Sequence, residues 1–410
     1  MKHHHHMTHK FRLDRFSFHH LHLFHKRDGL AALTTNRMIA TAAWSVIGVF
    51  FPIFLFEYFG SLTLVLVWYL ISYGLRIPLQ PIVAKVFARI GLLPSMFIGQ
   101  IGICFFFIAL YLLEVQAPIS EMFLLGLSIF GLLVVATFYW SPFHIDMATL
   151  STKGKVGRQV SMRYSIQRLI GVLMPIGSGA IILYYGYHIN FILSLFLLIA
   201  SMVPLFFLRN KYVRYEFGFF ETFQKMFSKK FREMSVSMVA YGAENVVGVI
   251  IWPLFLYMIF EGDYLNIGAF TAVVVVISVL LEIFVGRETD KWSAKKMMKI
   301  GTGVYALGWL GKAIVDTVIG VFAASTFHSI GSILLRTPVD ALMYEQAADA
   351  GHYIDEYTTI REIALNIGRA SMIVILIGLT YWFPLSSSFL VAAVVGVGVL
   401  RLARQAMIRD

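Results

Sequence analysis

The sequence predicts an all-α integral membrane protein, with twelve transmembrane helices arranged as two six-helix repeats. Three observations carry that expectation. The first is composition: of 410 residues 58% are hydrophobic and 14% charged, where soluble domains are about 45–50% apolar and about 25% charged. The second is that the apolar residues fall into segments of the length a bilayer requires. The third is that motifs recur about 200 positions apart. This composition excludes a disordered or collagenous chain and most soluble enzymes. The one cysteine, Cys104, excludes a disulfide scaffold and a cysteine-built metal site, and within its apolar run it reads as a small buried hydrophobe.

A spanning helix needs about 20 apolar residues. Span one covers 33–57 and ends at the Glu57–Gly60 turn; span two covers 61–83. Span three, 94–114, opens at Pro94 and stops at Glu114–Pro118, and span four covers 119–145. Span five (160–185) holds a Gly/Pro stretch, and span six (187–208) ends at Arg209–Lys211. A basic linker, 209–234, follows; its Phe217, Phe219, Phe220 and Phe223 suit an interfacial helix on a membrane surface. Spans seven to twelve are 235–260, 264–286, 298–318, 320–344, 361–382 and 386–405. None alternates polar with apolar, which excludes a membrane β-barrel. The domains expected are therefore a basic, His-rich segment (1–32), a six-helix bundle (33–208), the linker, and a second bundle (235–410). The run His3–His6 ahead of Met7 has the form of an added tag, and His19, His20, His22 and His25 lie among aromatic residues suited to a membrane surface. No cleavable signal peptide is read in the first 30 residues.

Lys and Arg set orientation. With the N-terminus in the cytoplasm, 28 of the 34 basic residues fall on cytoplasmic segments. The other six, Arg37, Arg76, Arg168, Lys312, Arg336 and Arg369, lie inside spans, and the external loops carry acids instead (Glu57, Glu114, Glu121, Glu261, Asp263). Both ends in the cytoplasm of a cell (inner) membrane follow. The net charge of +11 then reflects anionic lipid and topology rather than nucleic acid. An acidic stretch between Tyr344 and Arg361 (Glu345, Asp349, Asp355, Glu356) breaks the basic trend, and charge alone suggests salt bridges to the basic loops.

The repeat is read from four matches in the same order. Gly48 and Pro52 of span one pair with Gly248 and Pro253 of span seven. Ile98-Gly99 pairs with Ile300-Gly301, and Ser141-Pro142 with Thr337-Pro338. After span eight stands Gly286-Arg287-Glu288-Thr289-Asp290-Lys291-Trp292-Ser293-Ala294-Lys295-Lys296. With six plus six helices and a long middle loop, this string resembles the cytoplasmic loop motif of the major facilitator superfamily, Gly-x-x-x-Asp-Arg/Lys-x-Gly/Ser-x-Arg/Lys-Arg/Lys. The resemblance covers the whole chain in topology. It implies a secondary transporter in which Gly286, Asp290, Lys291, Lys295 and Lys296 control conformation, Asp290 docking on the positive end of a neighbouring helix. Asp290→Asn should then slow or bias transport with ligand affinity nearly intact; lost affinity with normal gating would contradict that role. The first-half copy departs, with Pro81 in place of the glycine and Lys85 in place of the Asp. Gly171–Gly179 around Pro175 partly resembles the bend motif of drug/proton antiporters of that superfamily, which points to export.

Ionisable side chains inside spans face a cavity or a partner. Glu244, beside Asn245 in span seven, suits proton coupling or a structural hydrogen bond to another helix. Arg76 in span two, and Gln167 and Arg168 in span five, suit an anionic substrate or an ion pair to Glu244. His328 in span ten titrates near neutral pH in the free side chain or bridges helices. Trp44, Trp252, His144 and one of the adjacent Tyr139 and Trp140 are expected to line a central cavity. Lys312 with Asp316, and Arg336 with Asp340, sit at i,i+4 and read as self-satisfying pairs. No phosphate-binding loop is present, so an ATP-driven pump within this chain is excluded. The expectation is a monomeric secondary transporter of a small solute, in contact with lipid, coupled to protons, with no cofactor and no metal. The alternative is a membrane-embedded lipid-modifying acyl- or glycosyltransferase built on His144 with Asp146 or Asp340 with Glu345, none of which makes a recognisable catalytic set.

Overall fold

The computed structural model describes residues 26–150, 156–289, 292–349 and 353–401. Span one is two helices, α1 (Lys26–Ile47) and α2 (Phe50–Phe59), bent by 40° at Gly48–Val49. Spans two and three are α3 (Leu62–Ile90) and α4 (Leu92–Glu114). Span four is α5 (Glu121–Phe138) running into α6 (Trp140–Leu150). Spans five and six are α7 (Val156–Tyr185) and α8 (Tyr187–Met202), and the linker carries a short helix, α9 (Phe219–Met226). Span seven is α10 (Arg232–Val246), a π turn (Val247–Ile251) and α11 (Trp252–Ile259). Spans eight to twelve are α12 (Tyr264–Thr289), α13 (Ala294–Ile314), α14 (Val318–Asp349), α15 (Ile354–Trp382) and α16 (Ser387–Gly396).

Among the described residues, eight helices are individually long and apolar enough to cross a bilayer, and the bent pair α1–α2 makes a ninth. The other three expected spans are α7, α13 and α16. The apolar parts of α7 and α16 are short (Leu169–Tyr185, Ser387–Leu400), and α13 carries Lys295, Lys296, Lys299 and Lys312. Ile71, Leu75, Ile82 and Val86 of α3 stand exposed in one outward row, as do Leu169, Leu173 and Ile176 of α7. An apolar exterior of this kind is stable in hydrocarbon and not in water. The protein is a multi-pass membrane protein.

Prolines explain where the spans break. A proline has no N–H to give the carbonyl four residues earlier. Pro52 releases the Gly48 carbonyl at the bend of span one, and Pro253 releases that of Val249 in the π turn of span seven. Pro142 releases the Phe138 carbonyl at the α5–α6 junction, where the Ser95 hydroxyl donates to it at 2.7 Å. The repeat read from Gly48/Gly248 and Pro52/Pro253 is thus a repeat of helix breaks.

The packing also repeats. In the first half α1 packs on α7 and α8, and α4 on α5 and α8. In the second half α10 packs on α15 and α16, and α13 on α14 and α16. The matching crossings α4–α5 and α13–α14 both close on glycine: Gly99 faces the Tyr139 backbone, and Gly301 faces Leu334–Leu335. At the α10–α15 crossing, Gly242 and Gly368 are so close to the Leu365 and Val239 carbonyls that no Cβ fits. Gly368→Ala should therefore cost about 1–3 kcal/mol by overpacking. Thermal unfolding in detergent checks it, with Gly378→Ala on the same helix, which meets open space, as the neutral control.

Buried hydroxyls and amides tie the helices. Asn36 Nδ2 donates to the Ser201 carbonyl at 2.6 Å, Ser194 to that of Ala43 at 3.0 Å, and Ser237 to that of Val399 at 2.9 Å. Gly91, at φ +97°, turns α3 sharply into α4, and Asn210 of the linker fills the space beside it. The linker is held to the first half there and by Lys211, which pairs with Asp146 at 2.7 Å.

Three sequence expectations are corrected here. α13 ends at Ile314, so Asp316 is off the helix and exposed, and Lys312 turns inward instead. Helices α14 and α15 shorten the expected acidic loop, and Asp355 and Glu356 are buried in α15 and form no salt bridge among the described residues; Glu356 meets the basic linker through its backbone instead, accepting the Glu216 N–H at 2.7 Å. Arg361, read as a loop residue, lies on α15 and faces the interior. The His-rich segment 1–25, Asp290 and Lys291 lie outside the described residues.

Candidate functional site

The two halves meet around one central cavity of about 700 Å3. Its walls come from the broken spans: Trp44, Gly48 and Val49 from span one, and Gly248, Val249 and Trp252 from span seven. A helix whose backbone is interrupted there leaves room and free carbonyls where a continuous helix would leave neither. At one end of the cavity α2 meets α11 and α7 meets α12. There the Tyr264 hydroxyl donates to Glu57, and Gly179 and Gly268 bring the α7 and α12 backbones into direct contact. At the other end, which carries the linker, α6 meets α14 and α15.

The cavity is rich in arginine and aromatic residues. Among the described residues, four cations line it, Arg37, Arg76, Arg361 and Arg369, against two carboxylates, Asp340 and Glu362. Glu362 is engaged by Arg361 at 2.5 Å, with His144 Nε2 3.7 Å away. Arg37 lies 4.4 Å over the Trp140 ring. Arg76 of α3 and Arg369 of α15, one from each half, both lie against Tyr73, at 4.7 and 5.1 Å from its ring centre. Arg76 donates to Ser72 at 3.0 Å. Arg369 donates to Asn245 at 3.3 Å and to Asn366 at 3.4 Å. Neither forms an ion pair among the described residues, and the Nε of each is buried without a hydrogen-bond partner.

A second polar cluster lies inside the second half, with its carboxylate buried. Glu244 is 2% exposed. Its Oε1 accepts from Tyr305 at 2.5 Å and from Trp309 Nε1 at 3.2 Å. Its Oε2 accepts from Arg336 at 3.1 Å, and Arg336 also donates to the Tyr305 hydroxyl at 2.8 Å. His328 packs on Tyr305 and Trp309, with ring centres 4.2 and 4.5 Å apart. The Lys312 ammonium sits 3.7 Å over Trp252, which is itself a cavity wall. The cluster therefore meets the cavity through Trp252 and through Tyr241, a second wall residue, over whose ring Arg336 lies at 5.2 Å.

No known family profile matches the chain, and no curated protein resembles it in sequence. Solved structures do resemble it in shape. The human organic anion transporter MFSD10 (TETRAN) superposes with a TM-score of 0.69 at 10% identity, covering 93% of this chain and 100% of that one. A POT family transporter in complex with 5-aminolevulinic acid gives 0.66 at 13% identity, over 93% of this chain and 96% of that one. A bacterial homologue of the iron transporter ferroportin, in an outward-facing state, gives 0.62 at 13% identity, over 94% and 100%. The chain has the major facilitator fold.

Within the major facilitator fold, the sequence candidates separate into groups. Trp44, Arg76, Gln167, Asn245 and Trp252 come together on the cavity wall. Glu244 and His328 are brought together in this second cluster instead, so Asn245, not Glu244, faces the cavity. Among the described residues, the cation paired with Glu244 is Arg336, not Arg76. Arg336 thus leaves the expected i,i+4 partner Asp340, which faces the cavity. Tyr139 turns away and donates to Asn36 at 2.7 Å, while its neighbour Trp140 lines the cavity with His144. Arg168 is on α7, and Gly286 on α12, with side-chain surroundings outside the described residues. Lys295 and Lys296 are exposed at the start of α13, Lys296 lying 4.4 Å over Trp292. Of the enzyme pairs, Asp146 is taken by Lys211, and the Glu345 side chain lies outside the described residues. Arg361, Glu362, Asn366 and Arg369, all on α15, are cavity residues that the sequence reading did not pick out as a site. Their spacing at 361/362, 365/366 and 369 is one helical face, a signal that was present.

Proposed function

We propose that this protein is a secondary transporter that carries a small solute across a cell membrane by alternating access. The observation that carries the reading is the central cavity, whose wall is drawn from both halves and whose two ends are each bounded by contacts between those halves. Rocking the halves about such a site would expose it to one side and then the other. The repeated helix breaks at Gly48 and Gly248 support equivalent motion in the two halves. The fold it shares with solved transporters agrees with this reading.

Both termini lie in the cytoplasm in this reading, because the basic residues outside the spans gather at the linker end. With Cys104 replaced, a cysteine at Ser61 or Asp263 should react with an impermeant maleimide added outside intact cells. Reaction only after permeabilisation would reverse the topology.

The driving ion in this reading is the proton, taken up and released at the Glu244–Arg336 cluster. That cluster is supported as the coupling unit by its burial and by its contact with the cavity through Lys312 and Trp252. Purified protein in liposomes with an imposed pH gradient tests transport directly. Accumulation of a solute from a metabolite mixture above the level of protein-free liposomes is the expected result. Turnover of a liposome lipid with no solute movement would overturn it.

A further inference from the structure

We infer that the central cavity takes an organic anion: a flat, largely apolar body bearing one or two acidic groups that are held between Arg76 and Arg369. The inference rests on the reading of this cavity as the substrate site. Three features of the site lead to it.

The first is unbalanced charge. Among the described residues, lining cations outnumber lining carboxylates by four to two, and Glu362 is already engaged by Arg361. Among the described residues, Arg76 and Arg369 hydrogen-bond to neutral partners, Ser72 for one and Asn245 and Asn366 for the other. Two guanidiniums sharing one tyrosine in a low-dielectric interior repel each other, and an uncompensated buried charge is costly. A bound anion removes both penalties at once.

The second is open donor capacity. A guanidinium has five N–H donors in a planar fork, matched to the two oxygens of a carboxylate, sulfonate or phosphate. Among the described residues, the buried Nε–H of Arg76 and that of Arg369 have no acceptor. Asn245 and Asn366, both on the cavity wall, spend their amide oxygens on Arg369. They hold it in place while leaving its edge open.

The third is size and lining. About 700 Å3 is room for a drug-sized molecule, not for a bare inorganic ion. Trp44, Trp140, Trp252, Tyr69, Tyr73 and Phe51 supply ring faces around that space, the surfaces on which a flat body stacks. The two arginines come from opposite halves of the fold, so one anion bound between them would draw the halves together. That gives the ligand a differential affinity for the closed arrangement, which any ligand-driven conformational change requires.

The test uses the full chain in detergent and a set of probes that share one ring system. These are 2-naphthoate and naphthalene-2-sulfonate, their neutral and cationic counterparts 2-naphthamide and 2-naphthylmethylamine, and sulfate as an acid without a ring. Thermal shift and tryptophan fluorescence read binding. The naphthyl anions should raise the melting temperature and bind at least tenfold more tightly than the amide, the amine or sulfate. Arg76→Gln and Arg369→Gln should each weaken anion binding ten- to a hundredfold, and the Lys variants should fall between Gln and wild type. The unliganded melting temperature of each Gln variant should hold or rise, because a repelling charge has gone; a purely structural arginine would lower it. Failure of both naphthyl anions to bind, equal binding of the amide or amine, or wild-type anion binding in both Gln variants would overturn the inference. Transport is scored separately in liposomes. Anion binding without movement would sink the transporter reading and leave this one standing; movement of neutral or cationic solutes alone would do the reverse.

Discussion

The double variant Gly179→Val/Gly268→Val will stand open at the end of the cavity opposite the linker. At that end α7 and α12 touch backbone to backbone: Gly179 lies against the Tyr264 carbonyl, and Gly268 against that of Pro175. Any Cβ there must push the two helices apart. Each overpacked contact costs about 1–3 kcal/mol, while reversing a two-state equilibrium from 1:99 to 99:1 takes about 5.5 kcal/mol. One substitution should therefore shift the balance part-way, and the pair should come close to reversing it. The strain falls between the halves, where the closed state can yield by opening, and each half keeps its own packing. Opening also parts Tyr264 from Glu57. The measurement is maleimide labelling of a cysteine at Val249, a cavity-wall position, in a chain with Cys104 replaced. Labelling from outside should rise at least tenfold over the glycine parent, and transport should fall. Unchanged labelling together with normal transport would show that this contact is not a gate.

Much of the fold was legible because hydrocarbon is an unforgiving solvent. Every backbone group must be satisfied within its own helix, so each crossing must show as about 20 apolar residues. The helix breaks were legible for a related reason: Pro52 and Pro253 remove a donor that the bilayer cannot replace. The site was only half legible. Arg76, Gln167, Trp44 and Trp252 stood out as polar or indole side chains in apolar runs, and all four line the cavity. Which of Tyr139 and Trp140 faces inward was not readable, since adjacent residues differ by about 100° around the helix and the register depends on the packing of α5 and α6. The partner of Glu244 was hidden for another reason. Arg336 is 92 positions away, and its own helix offered Asp340 one turn on, a local pairing that tertiary packing overrode. The repeat itself held a clue. At an offset of 200, Glu244 corresponds to Trp44, and Tyr305 lies one position from the counterpart of Phe106. In the first half Trp44 packs against Phe106 and Phe107. The second half thus places a carboxylate, a phenol and a guanidinium in a helix crossing that the first half fills with rings.

That asymmetry makes Glu244→Gln the most informative single change in the second half. In the wild type, Glu244 is the one acceptor on which Tyr305, Trp309 and Arg336 converge. Glutamine keeps the shape and one carbonyl oxygen, but removes the charge that offsets Arg336 and the nearby Lys312. Breaking a buried pair by neutralising one partner costs several kcal/mol, here about 3 kcal/mol because the Arg336 side chain keeps some access to solvent. The melting temperature should fall accordingly. Neutralising the second partner as well, in Glu244→Gln/Arg336→Gln, should recover part of that loss, since no charge of the pair is then left uncompensated. Stability alone would fit a purely structural pair, so the deciding readout is transport against pH. If protons bind and leave at this cluster, Glu244→Gln retains exchange of solute across the liposome but loses accumulation driven by a pH gradient, and its rate becomes flat over the range where the wild type varies. A Glu244→Gln protein that accumulates solute with the wild-type pH dependence would assign the cluster to holding α10, α13 and α14 together, and would move the coupling site to the carboxylates of the cavity, Glu362 and Asp340.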